Sequence, residues 1–476
     1  RSPSLPVLSN ITGQPADTDA GELVTPTYWV RHAREAVRFL DCARAADGAG
    51  VTTWVECGPD GVLCALVSRC LPEHASERVL VPMDLQQRNH LKAYGLAFWI
   101  LERGIDVDWL LNYRGGSFAV QAHELILQEA RIRGVSIEMV SETEIARIYA
   151  QIDGANMDVV RLEKSPKIAV YTPPNAQPWD DAVTMALEYA DIPYEKLWDA
   201  DVLDGGLEEY DWLHLHHEDF TGQYGKFYAS FRTQPWYQQQ QKLYEAQARS
   251  LGFAKVSEQK KAVARRIYDY VANGGFLFAM CSATDTFDIA LASQGVDITH
   301  TVFDGDPLDS QAQARLDFSR TVAFENFTIE TNPLVYEHSD IDTTPKDAGQ
   351  IRSAEAEYFT LFEFSARYDP VPTMLTQCHT SVVNGFLGQT TGFRKSLIKD
   401  HMAILAEVEG TDQVKYIHGQ VGRGTITFYG GHDPEDHKHH VGDPPTQLDL
   451  HRSSPGYRLI LNNVLFPAAK KQERKT

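Results

Sequence analysis

Three short polar runs hold the side chains best able to do chemistry: His214-Leu215-His216-His217-Glu218-Asp219, Cys281-Ser282 and His432-Asp433. A cysteine at a strand-to-helix turn is a candidate nucleophile, because the helix N-terminus favours the thiolate and a nearby imidazole can take the proton. These residues would then act as Cys281 attacking an amide or ester carbonyl, His432 shuttling the proton, and Glu218 or Asp433 orienting the imidazole. His216, His217, Asp219 and Ser282 read as substrate-binding groups. Imidazoles two residues apart with a carboxylate nearby also match the donors of a borderline divalent metal, so His216, Glu218 and His432 form an alternative metal-dependent hydrolase centre. A divalent metal is the one cofactor these residues suggest. The bland counterparts are a buried inert cysteine, a polar strand end, and solvated loop histidines at His437, His439 and His440. A binding or scaffold module without catalysis is the rival from another class.

Such groups meet only if strands deliver them to one rim. Lys167–Tyr171, Glu195–Trp198, Asp211–His216, Phe276–Cys281 and Gly424–Gly430 read as strands, separated by helical patterns such as 258–272, which ends at the Asn273-Gly274-Gly275 stop. In an open α/β sheet, ligands bind beyond the carboxyl ends of the strands, which is where all three polar runs fall. Residues 79–153 also alternate strand and helix, so βαβ units and a mostly parallel sheet are expected there, with 153–166 as a connector. Arg114-Gly115-Gly116-Ser117 reads as a hairpin turn. Gln377-Cys378-His379 would place its thiol and imidazole on opposite faces of a strand.

The first 76 residues differ in character. They carry four of the six cysteines (Cys42, Cys57, Cys64, Cys70), and read as a strand at 6–10, a helix at 26–46, a strand at 52–57 and a helix at 61–71. Trp29, Ala33, Val37 and Leu40 recur at the spacing of a buried helix face. The runs Ser9-Asn10-Ile11-Thr12-Gly13, Tyr28-Trp29-Val30-Arg31-His32 and Val55-Glu56-Cys57-Gly58-Pro59-Asp60-Gly61 resemble the closing segment of a polyketide synthase acyltransferase domain. That family uses a Ser in a G-H-S-x-G elbow, activated by a His, to load a carrier-protein thiol. The resemblance places both groups ahead of the part present here, so neither acyl transfer nor an acyl carrier protein partner is expected. The chain opens without Met or a signal peptide, and reads as beginning inside something larger.

From Val79 onward the order of elements resembles the class I glutamine-amidotransferase-like fold. The likeness lies in Gly274-Gly275 through Cys281, in Gly422-Arg423-Gly424 through Gly430-Gly431-His432, and in the closing Pro455–Asn462 helix. Ala279 and Ala283 stand where that family has glycines around its nucleophile. The runs 112–118, 216–225 and 430–436 further resemble an uncharacterised bacterial family labelled asparagine synthetase B. The sequence shows neither an N-terminal Cys nucleophile nor an S-G-G-x-D-S loop, so ATP-dependent asparagine synthesis is not expected.

The expectation is thus an α/β protein with a mostly parallel doubly wound, amidotransferase- or flavodoxin-like sheet at 167–476, a small α/β segment at 79–153, and an acyltransferase remnant at 1–76. At 476 residues with a net charge of −21, the chain is large enough for several domains and too acidic to coat nucleic acid or an anionic membrane. A small-molecule partner and a cytoplasmic location are expected. Nothing in the cysteine spacing makes a disulfide framework.

Overall fold

A computed structural model of the chain describes residues 5–17, 21–51, 53–56, 63, 66, 67, 70, 71, 77–175, 177–343 and 353–469. Near the N-terminus the expected single helix is two, Pro26–His32 and Phe39–Gly48. The expected strand at 6–10 is reduced to one bridge between Leu8 and Pro15. The face meant to be buried is not: Trp29 is 56% exposed and Val37 58%. Among the described residues the local core is Ala43, Val67 and Leu71 with a few flanking side chains. The strand expected at 52–57, the Gly58–Gly61 turn and the helix at 61–71 lie wholly or partly outside the described residues, as do Cys57, Cys64 and the 72–76 junction.

Residues 77–162 form a five-stranded sheet from β1 (Glu77–Val81), β2 (Val107–Leu111), β3 (Ser117–Gln121), β4 (Glu138–Ser141) and β5 (Asp158–Leu162). The order is β4-β1-β3-β2-β5 and every pairing is antiparallel, which corrects the parallel expectation. Five residues, Asn112 to Gly116, join β2 to β3. So short a link permits only an antiparallel hairpin, and Asn112, Arg114, Gly115 and Gly116 all take positive φ to close it. The stretch read as a connector supplies β5. Helix α1 (His90–Glu102) is buried along most of its length, with Asn89 capping its N-terminus.

The second sheet has ten strands. Its parallel half consists of β6 (Ile168–Tyr171), β7 (Glu195–Leu197), β8 (Trp212–Leu215) and β9 (Phe276–Met280), with β15 (Gly424–Tyr429) added later in the chain. The spatial order is β7-β6-β8-β9-β15. Every residue of β6, β8 and β9 is buried, as strands covered on both faces require. Alternate side chains feed two cores. Val170, Phe276 and Phe278 meet α1, α2 (Ala182–Tyr189) and the late helix Pro455–Leu465. Tyr171, Leu213 and Leu277 meet α3 (Val256–Ala272) and α4 (Ala283–Ala292).

Beyond β15 the sheet turns antiparallel through β14 (Gln413–Val421), β13 (Ala403–Glu407), β10 (Tyr358–Leu361) and β11 (Val382–Asn384), with β12 (Phe393–Arg394) on β14. The architecture is therefore mixed α/β, and the sheet is parallel in one half only. The first core cluster runs from β1 and α1 through β6 to the Pro455–Leu465 helix, so the two sheets share apolar packing. Among the described residues no helix is long and apolar enough to cross a membrane.

Candidate active site at the ends of the parallel strands

Chain direction between neighbouring crossovers reverses at the β6/β8 pair, and such a reversal opens a crevice at the carboxyl ends of the strands. Leaving β6, the chain reaches Trp179, Asp180 and Asp181, the last being the N-cap of α2, whose Oδ1 accepts from the amides of Val183 (2.8 Å) and Thr184 (3.0 Å). β8 delivers His216, His217 and Glu218; β9 delivers Cys281; β15 delivers His432. These ends are tied together by backbone hydrogen bonds: Cys281 N–H to Gly431 O at 3.1 Å and Ala283 N–H to His216 O at 3.0 Å. Gly431 has φ 94° and lies so close to Phe386 and Lys415 that a β-carbon would come within 3 Å of both. Only glycine brings His432 in at this depth.

The imidazoles and carboxylates form a continuous buried network. Asp181 faces both His214 Nε2 (3.3 Å) and His216 Nδ1 (3.2 Å). His216 Nε2 lies 3.2 Å from His432 Nδ1. The other edge of His432 points to Asp180 at 3.9 Å, and Asp180 also binds His439 Nε2 at 2.9 Å. His439 stacks on His432 with 4.3 Å between centroids and bonds Asp436 through Nδ1 at 3.0 Å. His217 packs edge-on against Trp179, and neither of its ring nitrogens has a hydrogen-bond partner.

Burial lowers the His432 pKa to about 4, and with the neighbouring His216 it holds His217 well below the ordinary imidazole value. For His439 burial works in the same direction, but Asp180 and Asp436 outweigh it and bring the pKa up to about 9. Burial opposes ionisation of Asp180 and Asp181, yet their histidine partners keep both below the usual carboxylate range. The result is a neutral His217 and a neutral His432 beside a protonated His439 and two ionised carboxylates.

A cavity of about 460 Å³ opens onto this network, walled by His217, His432, His439, Trp179, Phe227, Tyr336 and Cys281. Cys281 occupies the expected strand-to-helix turn, with φ 49°. Burial nevertheless pushes its thiol up to about 12, against the weaker pull of the Ser282 and Gln389 amides. The nitrogens of His432 are directed at His216 and Asp180, not at this sulfur.

The other sequence candidates go elsewhere. Glu218 accepts the His216 amide at 3.0 Å and, buried, is pushed up to about 8. It faces a small space beside Trp198 and Lys260. Asp219 is occupied by the amides of Thr221, Gln223 and Gly225. Asp433 accepts from Tyr457, Thr446 and the Glu435 amide. Ser282 Oγ is buried without a partner. Cys378 and His379 follow a helix rather than lying in a strand, and His379 Nδ1 receives Arg458 at 2.9 Å.

Sequence reasoning passed over Asp180 and Asp181, which lie at the far end of the loop after β6, next to the start of α2, rather than at the strand end that marked the other runs. His439, read as a solvated loop residue, has a side chain only 5% exposed.

No family model matches the chain. Part of it is similar to polyketide synthases: 41% identical over 113 residues to polyketide synthase GfsA of Streptomyces halstedii, and 41% over 113 residues to the spectinabilin polyketide synthase system protein NorB of Streptomyces orinoci. Mycoketide-CoA synthase of Mycobacterium tuberculosis matches at 36% over 110 residues. These matches take in 24%, 22% and 22% of this chain, but the chain spans only 2%, 5% and 2% of those proteins. A polyketide-synthase-related segment of about 110 residues is thus present, longer than the 76 residues on which the sequence motifs lie. The asparagine-synthetase resemblance finds no support in these comparisons. Two solved structures, the cytoplasmic proteins STM3548 and STM1381 of Salmonella typhimurium, each cover 64% of this chain and 100% of their own. Their identities are 10% and 13% and their TM-scores 0.31 and 0.29.

Proposed function

We propose that the α/β part of the chain, an amidotransferase-like framework, hydrolyses a small polar amide or ester in the 460 Å³ cavity, and that the polyketide-synthase-related segment beside it is non-catalytic. The observation that carries this is the meeting of His217, His432, His439 and Asp180 at the ends of three strands, beside a cavity large enough for a small substrate. In the reaction a water oxygen bonds to the carbonyl carbon and its proton passes to a cluster imidazole. The bond to the leaving nitrogen or oxygen then breaks, and the imidazole returns the proton to the leaving group.

The φ of 49° at Cys281 favours a second version, in which the thiol attacks in place of water and its proton follows the same route. A panel of chromogenic esters and anilides tests both. Turnover lost in His432→Ala but kept in Cys281→Ala supports the water reaction. Loss in both, with an acyl-enzyme seen by mass spectrometry, supports the thiol. No turnover of any member overturns the hydrolase reading in favour of a binding module.

A further inference from the structure

Three imidazoles, the buried His216 and His432 and the partly buried His217, bring one nitrogen each within 4.8 Å of one another. His216 Nε2 and His432 Nδ1 are 3.2 Å apart. Two nitrogens each about 2.0–2.1 Å from a tetrahedral zinc lie about 3.3–3.4 Å apart, so this spacing is that of two ligands on one ion. A hydrogen bond alone accounts for it poorly. His216 Nδ1 lies 3.2 Å from the carboxylate of Asp181, which favours the proton on that nitrogen and leaves Nε2 as an acceptor. His432 would then donate from Nδ1, turning a bare lone pair at Nε2 toward the Asp180 carboxylate. His432 Nε2 and both nitrogens of His217 are buried without hydrogen-bond partners, a costly arrangement for polar groups.

A cation at the centre removes the conflict at His432 and gives one His217 nitrogen a partner. His432 Nδ1 becomes a ligand, and its Nε2–H is directed at Asp180. Asp181 then stands behind His216 and Asp180 behind His432, the carboxylate–imidazole–metal arrangement that orients ligating histidines. A second grouping, Asp180 with His432 and His439, competes for His432. There Asp436 would stand behind His439, but Asp180 would itself be the ligand and no carboxylate would stand behind His432.

We infer that His216, His217 and His432 bind one divalent transition metal of the zinc class, with Asp181 and Asp180 as orienting carboxylates and the fourth position open to the cavity that His217 and His432 line. Three imidazoles with one open position make a site of the catalytic rather than the structural kind. The inference rests on the hydrolase reading only for what the metal does, not for whether it binds.

The test uses the untagged 476-residue chain, stripped with a chelator and titrated with Zn²⁺ and with Co²⁺. One metal per chain is expected, with the visible absorption of four-coordinate Co²⁺. That band should vanish in His432→Ala and in His217→Ala, and Asp181→Asn should weaken Co²⁺ binding about 10- to 100-fold. The wild-type titration needs no variant to fold. Absence of stoichiometric Zn²⁺ and of the Co²⁺ band overturns the inference, as does a band that survives in a folded His432→Ala. Turnover that persists undiminished in stripped protein overturns the metal's part in the reaction alone and leaves both the hydrolase reading and the titration result standing. One metal per chain with no turnover of any ester or anilide overturns the hydrolase reading alone.

Discussion

At residue 281 the backbone is held at φ 49°, a region in which a β-carbon costs about 1 kcal/mol relative to glycine. Cys281→Gly relieves that cost and Cys281→Ala keeps it, so the glycine variant should unfold at an equal or higher urea midpoint than the alanine variant. A clearly lower midpoint for glycine would show that lost packing outweighs the strain. The thiol gives a second reading at the same residue: with burial pushing it up to about 12, Cys281 should react slowly with iodoacetamide at pH 7 in the native protein and rapidly in urea. Fast native labelling of this residue, located by peptide mapping, would contradict the buried thiol. The strand-to-helix position of Cys281 was legible, because Gly274-Gly275, an apolar run and a helical pattern surround it. What could not be read was the direction of the imidazoles. His439 differs from His440 by one position, yet one stacks on His432 and the other is exposed. Asp180, which selects between them, is more than 250 residues away in sequence.

Element boundaries decide how the cluster is held. Asp181 both caps α2 and faces His214 and His216, so one carboxylate fixes the helix start and two rings of β8. Asparagine caps nearly as well as aspartate, whereas alanine loses about 1 kcal/mol of capping. Asp181→Asn should therefore destabilise the protein through the histidines only, and Asp181→Ala by at least about 1 kcal/mol more. Equal urea midpoints for the two variants would mean that the cap contributes nothing. The hairpin at 112–116 makes a comparable demand. A β-carbon on Gly115 would lie 2.4 Å from Met83 O at φ 77°, so Gly115→Ala should lower the thermal midpoint by several degrees, an expectation that an unchanged calorimetric scan would refute. The parallel strands were legible as unbroken apolar runs between helices. β10 to β13 were not, because strands of two to five residues show too little of a period, and β14 was hidden by the buried Lys415 and His418 inside its apolar run. The antiparallel pairing of β1 to β5 was missed for a related reason: alternation of strand and helix was read as βαβ, while the hairpin turn within it already required reversal.

Across the whole molecule the two sheets are joined by more than apolar packing. Arg458, on the Pro455–Leu465 helix and fully buried, donates to Met83 O at 3.0 Å and Gly115 O at 2.7 Å on the five-stranded side, and to His379 Nδ1 at 2.9 Å. His379 in turn stacks on His90 of α1, 4.5 Å between centroids. Burial and then the Arg458 charge lower the pKa of both rings, His90 to about 3, with His379 a further cause, and His379 to about 4. The Asp84 carboxylate is paired with Arg114 at 2.6 Å and does not rescue the charged forms. In the unfolded chain both histidines titrate near pH 6.5. Between that value and their folded values the unfolded state binds more protons, so stability rises with pH and is lost as pH falls below about 6.5. Glutamine at 379 can accept the Arg458 hydrogen bond but cannot take up a proton. His379→Gln should therefore lose less stability than wild type between pH 7.5 and pH 5, measured as the difference in urea midpoints. The two proteins share every other titrating group, the His216–His432 cluster included, so the difference isolates this junction. Equal losses would mean that His379 is not held neutral, and that the contact between the sheets does not sense acid through this pair.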